Sequence, residues 1–372
     1  MGLQLISKAK ANVRLFNQYG LKVDDFSLLY DFESDVYLKR INNELIDLTG
    51  TVLVGVTRNT TGSAQTMDRD GNRSVAAANT ARKWKVGGRY GLLIEDVRTN
   101  YFLNSATPAT QTITLPASSN PIVVSCIGSG SITVTGTNLL NSGFEVTEQM
   151  PKAFYPKEAI SHTITVTCSQ QLTHVQVEIA GGHAGISSPI TTGASIVSKP
   201  KDTANLNNTY LAEAIGTNNK FTIAVQSIPL KLLEDSRSTY ENQISLYSST
   251  TAQILMALNQ RVRSVDKHKP KLSYALSNAV KTDIVGQDTS KLQKWGNVTA
   301  LRVNGDVVSV ATGDEIISTP IDAGFIPNVM YLGYGQASPI SRAGLHGIIT
   351  KLVIFPRALS DQELFDLTKS FN

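Results

Sequence analysis

Short β-branched and apolar runs, each closed by turn-forming residues, constrain this chain more than any other feature. Thr112–Leu115, Ile122–Ile127 and Ser131–Thr135 are separated by Pro, Ser-Ser-Asn and Gly-Ser-Gly, compositions that break strands and make turns. SHTITVTC (Ser161–Cys168) and THVQVEIA (Thr173–Ala180) alternate with period two, so Val175, Val177 and Ile179 share one face of a half-buried antiparallel strand. A second series runs through Phe221–Ser227, Gln243–Tyr247, Ala252–Asn259, Lys271–Leu276, Val298–Val303, Val307–Val310, Val329–Gly333 and His346–Phe355. Asn304-Gly305 stands between two of these runs and predicts a hairpin with a type I′ turn. Strands so short and numerous predict β-sandwiches. No repeat of about 20–50 residues is visible, which argues against a propeller or a regular β-helix.

Helical signals are few. Leu359–Phe371 has Ser360 as a cap with Glu363 three residues on, a capping box, and Leu364, Leu367 and Phe371 follow on one face. Gly2–Gly20 and Asp35–Ile46 read as weaker helical or mixed segments.

Composition narrows the function classes. The 372 residues are 41% hydrophobic and only 17% charged, enough apolar material for a sizeable core and too little charge for charge-rich disorder. No run reaches the roughly 18 apolar residues of a spanning helix, and Met1–Lys10 lacks the pattern of a signal peptide. Membrane insertion is therefore not expected. The net charge of +4, from 34 basic and 30 acidic residues, is too mild to point to nucleic acid. Cys126 and Cys168 lie in alternating apolar segments and read as strand residues rather than a disulfide. His162, His174, His183, His268 and His346 are scattered without metal-ligand spacing.

Candidate chemistry is sparse. Glycan cleavage needs two carboxylates about 5–9.5 Å apart. Asp68, Asp70, Glu95, Asp96, Asp306, Asp314 and Glu315 show no such spacing and mostly occupy polar turns. Glu95 and Arg98 read as a structural ion pair in an otherwise apolar segment. No G-x-S-x-G elbow occurs, and no histidine stands where it would activate a serine. His183 in AGGHAGISS reads as a surface loop histidine, and the glycines around it lack the G-K-[ST] of a phosphate cradle. Asp306, Asp314 and Asp322 do not form a calcium loop. No catalytic residue, cofactor or metal is expected. Tyr240, Tyr247, Tyr331, Tyr334 and Trp295 are aromatic residues that could stack on sugar rings; Trp295, in KLQKWGNV, is the one singled out for ligand binding. Arg261–Lys271 (RVRSVDKHKPK) is a local basic cluster that would attract anionic partners.

Several lines of the sequence carry a resemblance. Asp70-Gly71 with Ala76–Arg82, then GLLIEDVRTN (Gly91–Asn100), then ATQTITL (Ala109–Leu115) resemble a module of tailed-bacteriophage structural proteins, including tail-fibre and receptor-binding proteins. SSPITTGASIV (Ser187–Val197) resembles the line that precedes the C-terminal module in that family. LRVNGDVV (Leu301–Val308), YLGYG (Tyr331–Gly335) and LHGIITKLVIFPRALSDQEL (Leu345–Leu364) resemble a concanavalin/laminin-G jelly roll. The family commonly has an Arg-x-Ala-Asp step after the SPI line, where this chain reads SKPKD (Ser198–Asp202).

The resemblance and the residues together give a mostly β chain: an N-terminal virion-attachment region (1–48), an extended connecting module (49–105), a middle β-sandwich (106–190), a linker (191–215) and a C-terminal jelly roll (216–372). The resemblance implies a structural component of a tailed-phage virion, made in the host cytoplasm and displayed on the tail or capsid surface. The implied role is a non-enzymatic tail-fibre or receptor-binding protein. It would be a homotrimer, docked to other virion proteins through its N-terminal region and presenting a jelly roll to host-surface carbohydrate. A capsid decoration or head-fibre protein is the alternative, and a glycan depolymerase the third reading.

Overall fold

The computed structural model describes residues 25–58, 64–181, 185–230, 239–248, 253–261, 268–276, 279–285, 297–312, 315–321, 325–333 and 345–370. It is mostly β, built as two sandwiches. The smaller packs a four-stranded sheet (order Gln111–Leu115, His162–Cys168, Ile132–Thr135, Glu145–Val146) on a three-stranded one (Lys152–Phe154, Ile122–Gly128, Leu172–Ile179). Alternation fixes its core: Ile113, Leu115, Ile122, Val124, Ile132, Val134, Ile164, Val166, Val175 and Val177 point inward and are buried. Cys126 joins that core and Cys168 packs at its margin; both are free thiols.

The larger sandwich has a ten-stranded and a seven-stranded sheet. Lys220–Pro229 and Gly347–Phe355 lie side by side in the middle of the first. Phe221, Ile223 and Val225 face the space between the sheets, where Ile244, Leu246, Leu255, Leu272, Met330 and Leu332 meet them from the second. Ala224, Val353 and Phe355 face the other way, onto the helix Asp361–Ser370 through Leu364 and Leu367. Burial on both faces explains why these strands read as continuous apolar runs. In Gly347–Phe355, Ile349 and Leu352 both reach the inter-sheet core although three positions apart. A register shift opposite Gln226/Ser227 makes this possible, as expected where a bulge inserts one residue. The capping box forms: Ser360 N–H donates to the Glu363 carboxylate at 2.7 Å, and Glu363 N–H to Ser360 Oγ at 3.3 Å. Phe371 lies outside the described residues.

Several expectations change. Within Asp35–Ile46, expected as helical or mixed, Val36–Ile41 and Glu44–Asp47 form a hairpin. Asn42 and Asn43 both take positive φ at its turn, the type I′ requirement that Asn tolerates. The expected attachment region 1–48 also contributes Leu28–Asp31, which pairs with Gly347–Phe355 at the opposite end of the chain. Within the expected connecting module 49–105, Val54–Thr57 joins the seven-stranded sheet and Arg89–Ile94 joins the ten-stranded one. The stretch 191–215, expected as a linker, holds strands Val197–Lys199 and Thr203–Leu206 and the helix Asn208–Ile215. Here Thr192 accepts a buried hydrogen bond from the Ser105 backbone N–H and Asn207 caps the helix. The hairpin at Asn304-Gly305 exists, but Asn304 pairs with Val307, so Gly305 and Asp306 are its central residues. Of these, Gly305 alone takes positive φ. Glycine at the first central position is the type II′ pattern, not type I′. Gly2–Gly20 lies outside the described residues.

Candidate functional site

Two arrangements occupy the junction between the sandwiches: a buried cluster of charges and, beside it, a cleft.

The charges come from segments far apart in sequence. Arg82, on the strand Arg82–Val86, donates to Glu95 at 2.6 Å, to Asp202 and to Ser188 Oγ at 2.9 Å. Asp202 also accepts from Arg58 at 3.1 Å and from the Glu95 backbone N–H at 3.1 Å. Lys199 lies 3.1 Å from Glu95, which further accepts from the Ser188 backbone at 2.5 Å and its hydroxyl at 2.7 Å. None of Arg58, Arg82, Glu95, Lys199 or Asp202 is more than 2% exposed. Burial alone would raise the Glu95 carboxyl, but Lys199 and Arg82 hold it well below the usual range. Arg98 and Glu95 were expected to pair with each other. Glu95 is taken by Arg82 and Lys199, and the Arg98 charge acts on Glu178 and Asp96. Burial pushes Glu178 up, and its partner is the Ser187 hydroxyl, donating at 2.5 Å.

Three of the lines that carried the resemblance, Ala76–Arg82, Gly91–Asn100 and Ser187–Val197, converge here. Arg58 donates to the backbone of Ala77 and Thr80 and receives Asn79 Oδ1 on its own N–H, so AAANTAR wraps this arginine. Asn100, fully buried, donates to Val175 O and Ile190 O and accepts from Phe102 and Val177 N–H. It stitches GLLIEDVRTN to the SPI line and to the middle sandwich. Ser198–Asp202, the step that departs from the family pattern, supplies Lys199 and Asp202. Buried ion clusters of this kind need every charge answered, since an unanswered one is very costly. Among the described residues these groups are closed off from solvent and answer one another across the joint between the sandwiches.

The cleft opens on the outward face of the three-stranded sheet. On Leu172–Ile179 the valines point into the sandwich, so His174, Gln176 and Glu178 point out. Ser125 and Ile127 lie opposite Gln176 and His174 on the neighbouring strand. The facing wall is Met67, Trp84 and Leu230, and Arg73, Lys85 and Glu148 stand at the rim. The space measures about 180 Å³, many times what one water occupies. The Arg73 guanidinium lies over the Trp84 ring, 6.0 Å from its centroid. Gln176 is committed, donating to Ser187 Oγ at 2.9 Å and accepting from Ile190 N–H at 2.7 Å. His174 is 7% exposed, and its Nε2 has no hydrogen-bond partner among the described residues. Burial pushes it down to about 4, with the Arg73 charge adding and a bond to Gln176 opposing. It is neutral at physiological pH.

Trp295, His183, Tyr334, Asp314 and Asp322 fall outside the described residues, as do the side chains of Tyr240 and of the basic cluster Arg261–Lys271. Tyr247 and Tyr331 are half-buried on the outer face of the seven-stranded sheet, while Leu246, Met330 and Leu332 fill its core. Asp68 is an exposed turn residue that accepts from Asn72, and Asp70 and Asp306 are exposed as well. Among the described residues, no group of three potential metal ligands forms, and Glu148 is the one carboxylate lining the cleft. The sequence reading missed Trp84, Arg73 and the outward face of His174. The alternation of THVQVEIA placed that face opposite the valines, but only the fold covers it.

No protein-family model and no curated protein matches the chain. Among solved structures it is similar to the CBM40 of the Ruminococcus gnavus IT-sialidase bound to α2,3-sialyllactose, at 13% identity and a TM-score of 0.28, over 41% of this chain and 83% of that one. It is similar to the CBM2 module of the evolved Dit of Lactobacillus casei BL23 phage J-1, at 10% identity and a TM-score of 0.27, over 43% and 71%. It is also similar to domain 4 of AbnA, a GH43 extracellular arabinanase from Geobacillus stearothermophilus, in complex with arabinotriose, at 14% identity and a TM-score of 0.27, over 64% and 88%.

Proposed function

We propose that this chain is a non-enzymatic structural component of a tailed-phage virion, of the tail-fibre or receptor-binding kind, that presents β-sandwiches to carbohydrate on the host surface. One observation carries the reading. Part of what makes the sequence resemble phage structural modules welds the two sandwiches: Asn79, Arg82, Glu95, Asn100 and Ser188 all lie in resembling lines and hold the joint together with Arg58. A motif spent on a rigid, solvent-free joint supports a protein that builds and displays. In this reading the chain assembles as a homotrimer, since closed symmetry is the norm for such assemblies, and docks to other virion proteins.

Gold-labelled antibody against residues 220–372, applied to intact particles and viewed by electron microscopy, tests it. Label at fibre ends or the tail tip is expected. Label over the head would make this a capsid decoration or head-fibre protein, and no label would end the virion reading. Release of oligosaccharide from host polysaccharide by the purified chain would overturn the non-enzymatic assignment.

A further inference from the structure

We propose that the cleft between the middle sandwich and the Trp84 strand binds one acidic pyranose, a sugar ring of the uronic-acid class, with its carboxylate at Arg73 and Lys85. This deepens the carbohydrate reading above and rests on it.

Four observations carry the inference. First, His174, which lines the cleft, has an Nε2 without a hydrogen-bond partner among the described residues, in a side chain that is 7% exposed. A buried polar atom without a partner is costly, and a site that supplies the missing bond gains it back. Because this imidazole is neutral, its Nε2 is either donor or acceptor according to tautomer. A sugar hydroxyl, donor and acceptor at once, can answer either tautomer. Second, Gln176 and Ser187 are already satisfied by each other and by Ile190 and Glu178, so the free valence lies at His174. Third, Met67, Trp84, Ile127, Pro151 and Leu230 give the space apolar walls, matching the C–H faces of a pyranose; small-ligand sites combine apolar walls with a few placed polar groups. Fourth, the rim carries two cations, Arg73 and Lys85, against one anion, Glu148. All three are exposed, so a ligand carboxylate meets a net positive mouth. Arg73 already lies over the Trp84 ring, and a bidentate guanidinium is suited to a carboxylate.

The test uses the full chain carrying Trp295→Phe, so that Trp84 is the only indole. Its fluorescence is titrated with glucuronate and, separately, with glucose. A saturable change with glucuronate, at least tenfold weaker with glucose, is expected. Arg73→Ala with Lys85→Ala should remove that preference while leaving the circular dichroism spectrum and melting temperature unchanged, since both side chains are exposed. His174→Phe should weaken both sugars about tenfold. Equal affinity for the two sugars would overturn the acidic class. A flat response to both, from a chain still retained on immobilised host polysaccharide, would overturn the cleft while leaving carbohydrate binding intact. A flat response from a chain that no polysaccharide retains would remove the underlying reading as well.

Discussion

Arg82 and Glu95 form an ion pair 2.6 Å long in which neither side chain reaches solvent. The same guanidinium holds Asp202 and Ser188, so its removal would leave Glu95 to Lys199 and Asp202 to Arg58, each with one cation fewer in a dry joint. Arg82→Ala should cost about 3–5 kcal/mol, the loss seen when one member of a buried pair is deleted. Arg82→Lys should recover part of it, because an ammonium cannot reproduce the forked geometry. Urea unfolding monitored by circular dichroism measures both, and a shift below about 0.5 kcal/mol for Arg82→Ala, the range of an ordinary surface substitution, would contradict the structural role given to the cluster.

Acid should weaken the fold through its histidines. Burial holds His174 at about 4 and His346 well below the ordinary 6.5. The unfolded chain therefore binds protons that the folded chain refuses once pH drops below about 6.5, and stability falls from there toward pH 4 by up to about 1.4 kcal/mol per unit for each histidine. Above pH 6.5 neither histidine contributes any slope. Glu95, held low, adds acid sensitivity below its ordinary 4.5; Glu178 and Asp96, pushed up by burial, work in the opposite direction. Melting temperatures of the wild type and His174→Gln across pH 4–8 isolate the histidine. Their difference should be constant above pH 6.5 and move against the wild type below it.

Both thiols should be sluggish. Burial pushes Cys126 and Cys168 up to about 11, so at pH 8 almost none of either is thiolate, the reactive form. Ellman's reagent at pH 8 should titrate the native chain slowly and two thiols promptly after denaturation. Rapid reaction of the native protein would show that the strands carrying them open readily.

Close strand packing makes a sharp pair of controls. A Cβ on Gly91 would sit 2.5 Å from the Ile349 carbonyl oxygen, a backbone atom that cannot swing away. Gly91→Ala should cost about 1–3 kcal/mol by overpacking. At Gly181 an added Cβ meets nothing within 4 Å, and Gly181→Ala should lie within about 0.5 kcal/mol of wild type. Thermal unfolding of the two variants side by side reads the difference.

What was legible in the sequence follows from what is local. Short apolar and alternating runs located five of the seven strands of the middle sandwich to within a residue or two, because a one-residue slip would turn every valine outward; Glu145–Val146 and Lys152–Phe154, two and three residues long, are too short to show a period. The capping box at Ser360 was visible for the same reason: both partners lie within one helical turn. The hairpin at Asn42-Asn43 was missed, although two residues that tolerate positive φ between apolar runs are a turn signal. The rest is set by distance. Glu95 had one cation nearby in sequence, Arg98, and local reasoning paired them. Its actual partners, Arg82 on the hairpin and Lys199 over a hundred positions on, are chosen by the fold. Polar composition misled at 191–215 because Ser, Thr and Asn serve equally well as solvated spacers and as buried hydrogen-bonding groups. His174 was visible as a residue, but its burial was not.

The pairing of Leu28–Asp31 with Gly347–Phe355 has a consequence for how the chain is made. Ser27 and Ile354, 327 positions apart, share a hydrogen bond, so the ten-stranded sheet stays incomplete until the last strand has left the ribosome. Every strand of the middle sandwich lies between Gln111 and Ile179, and that unit can close early, since domains fold as units during synthesis. Pairings across such separations form slowly. Between the synthesis of Ile179 and that of Gly347–Phe355 the nascent chain therefore carries one finished sandwich and the open strand edges of another, and in that interval it is most exposed to aggregation and to mispairing with neighbouring copies.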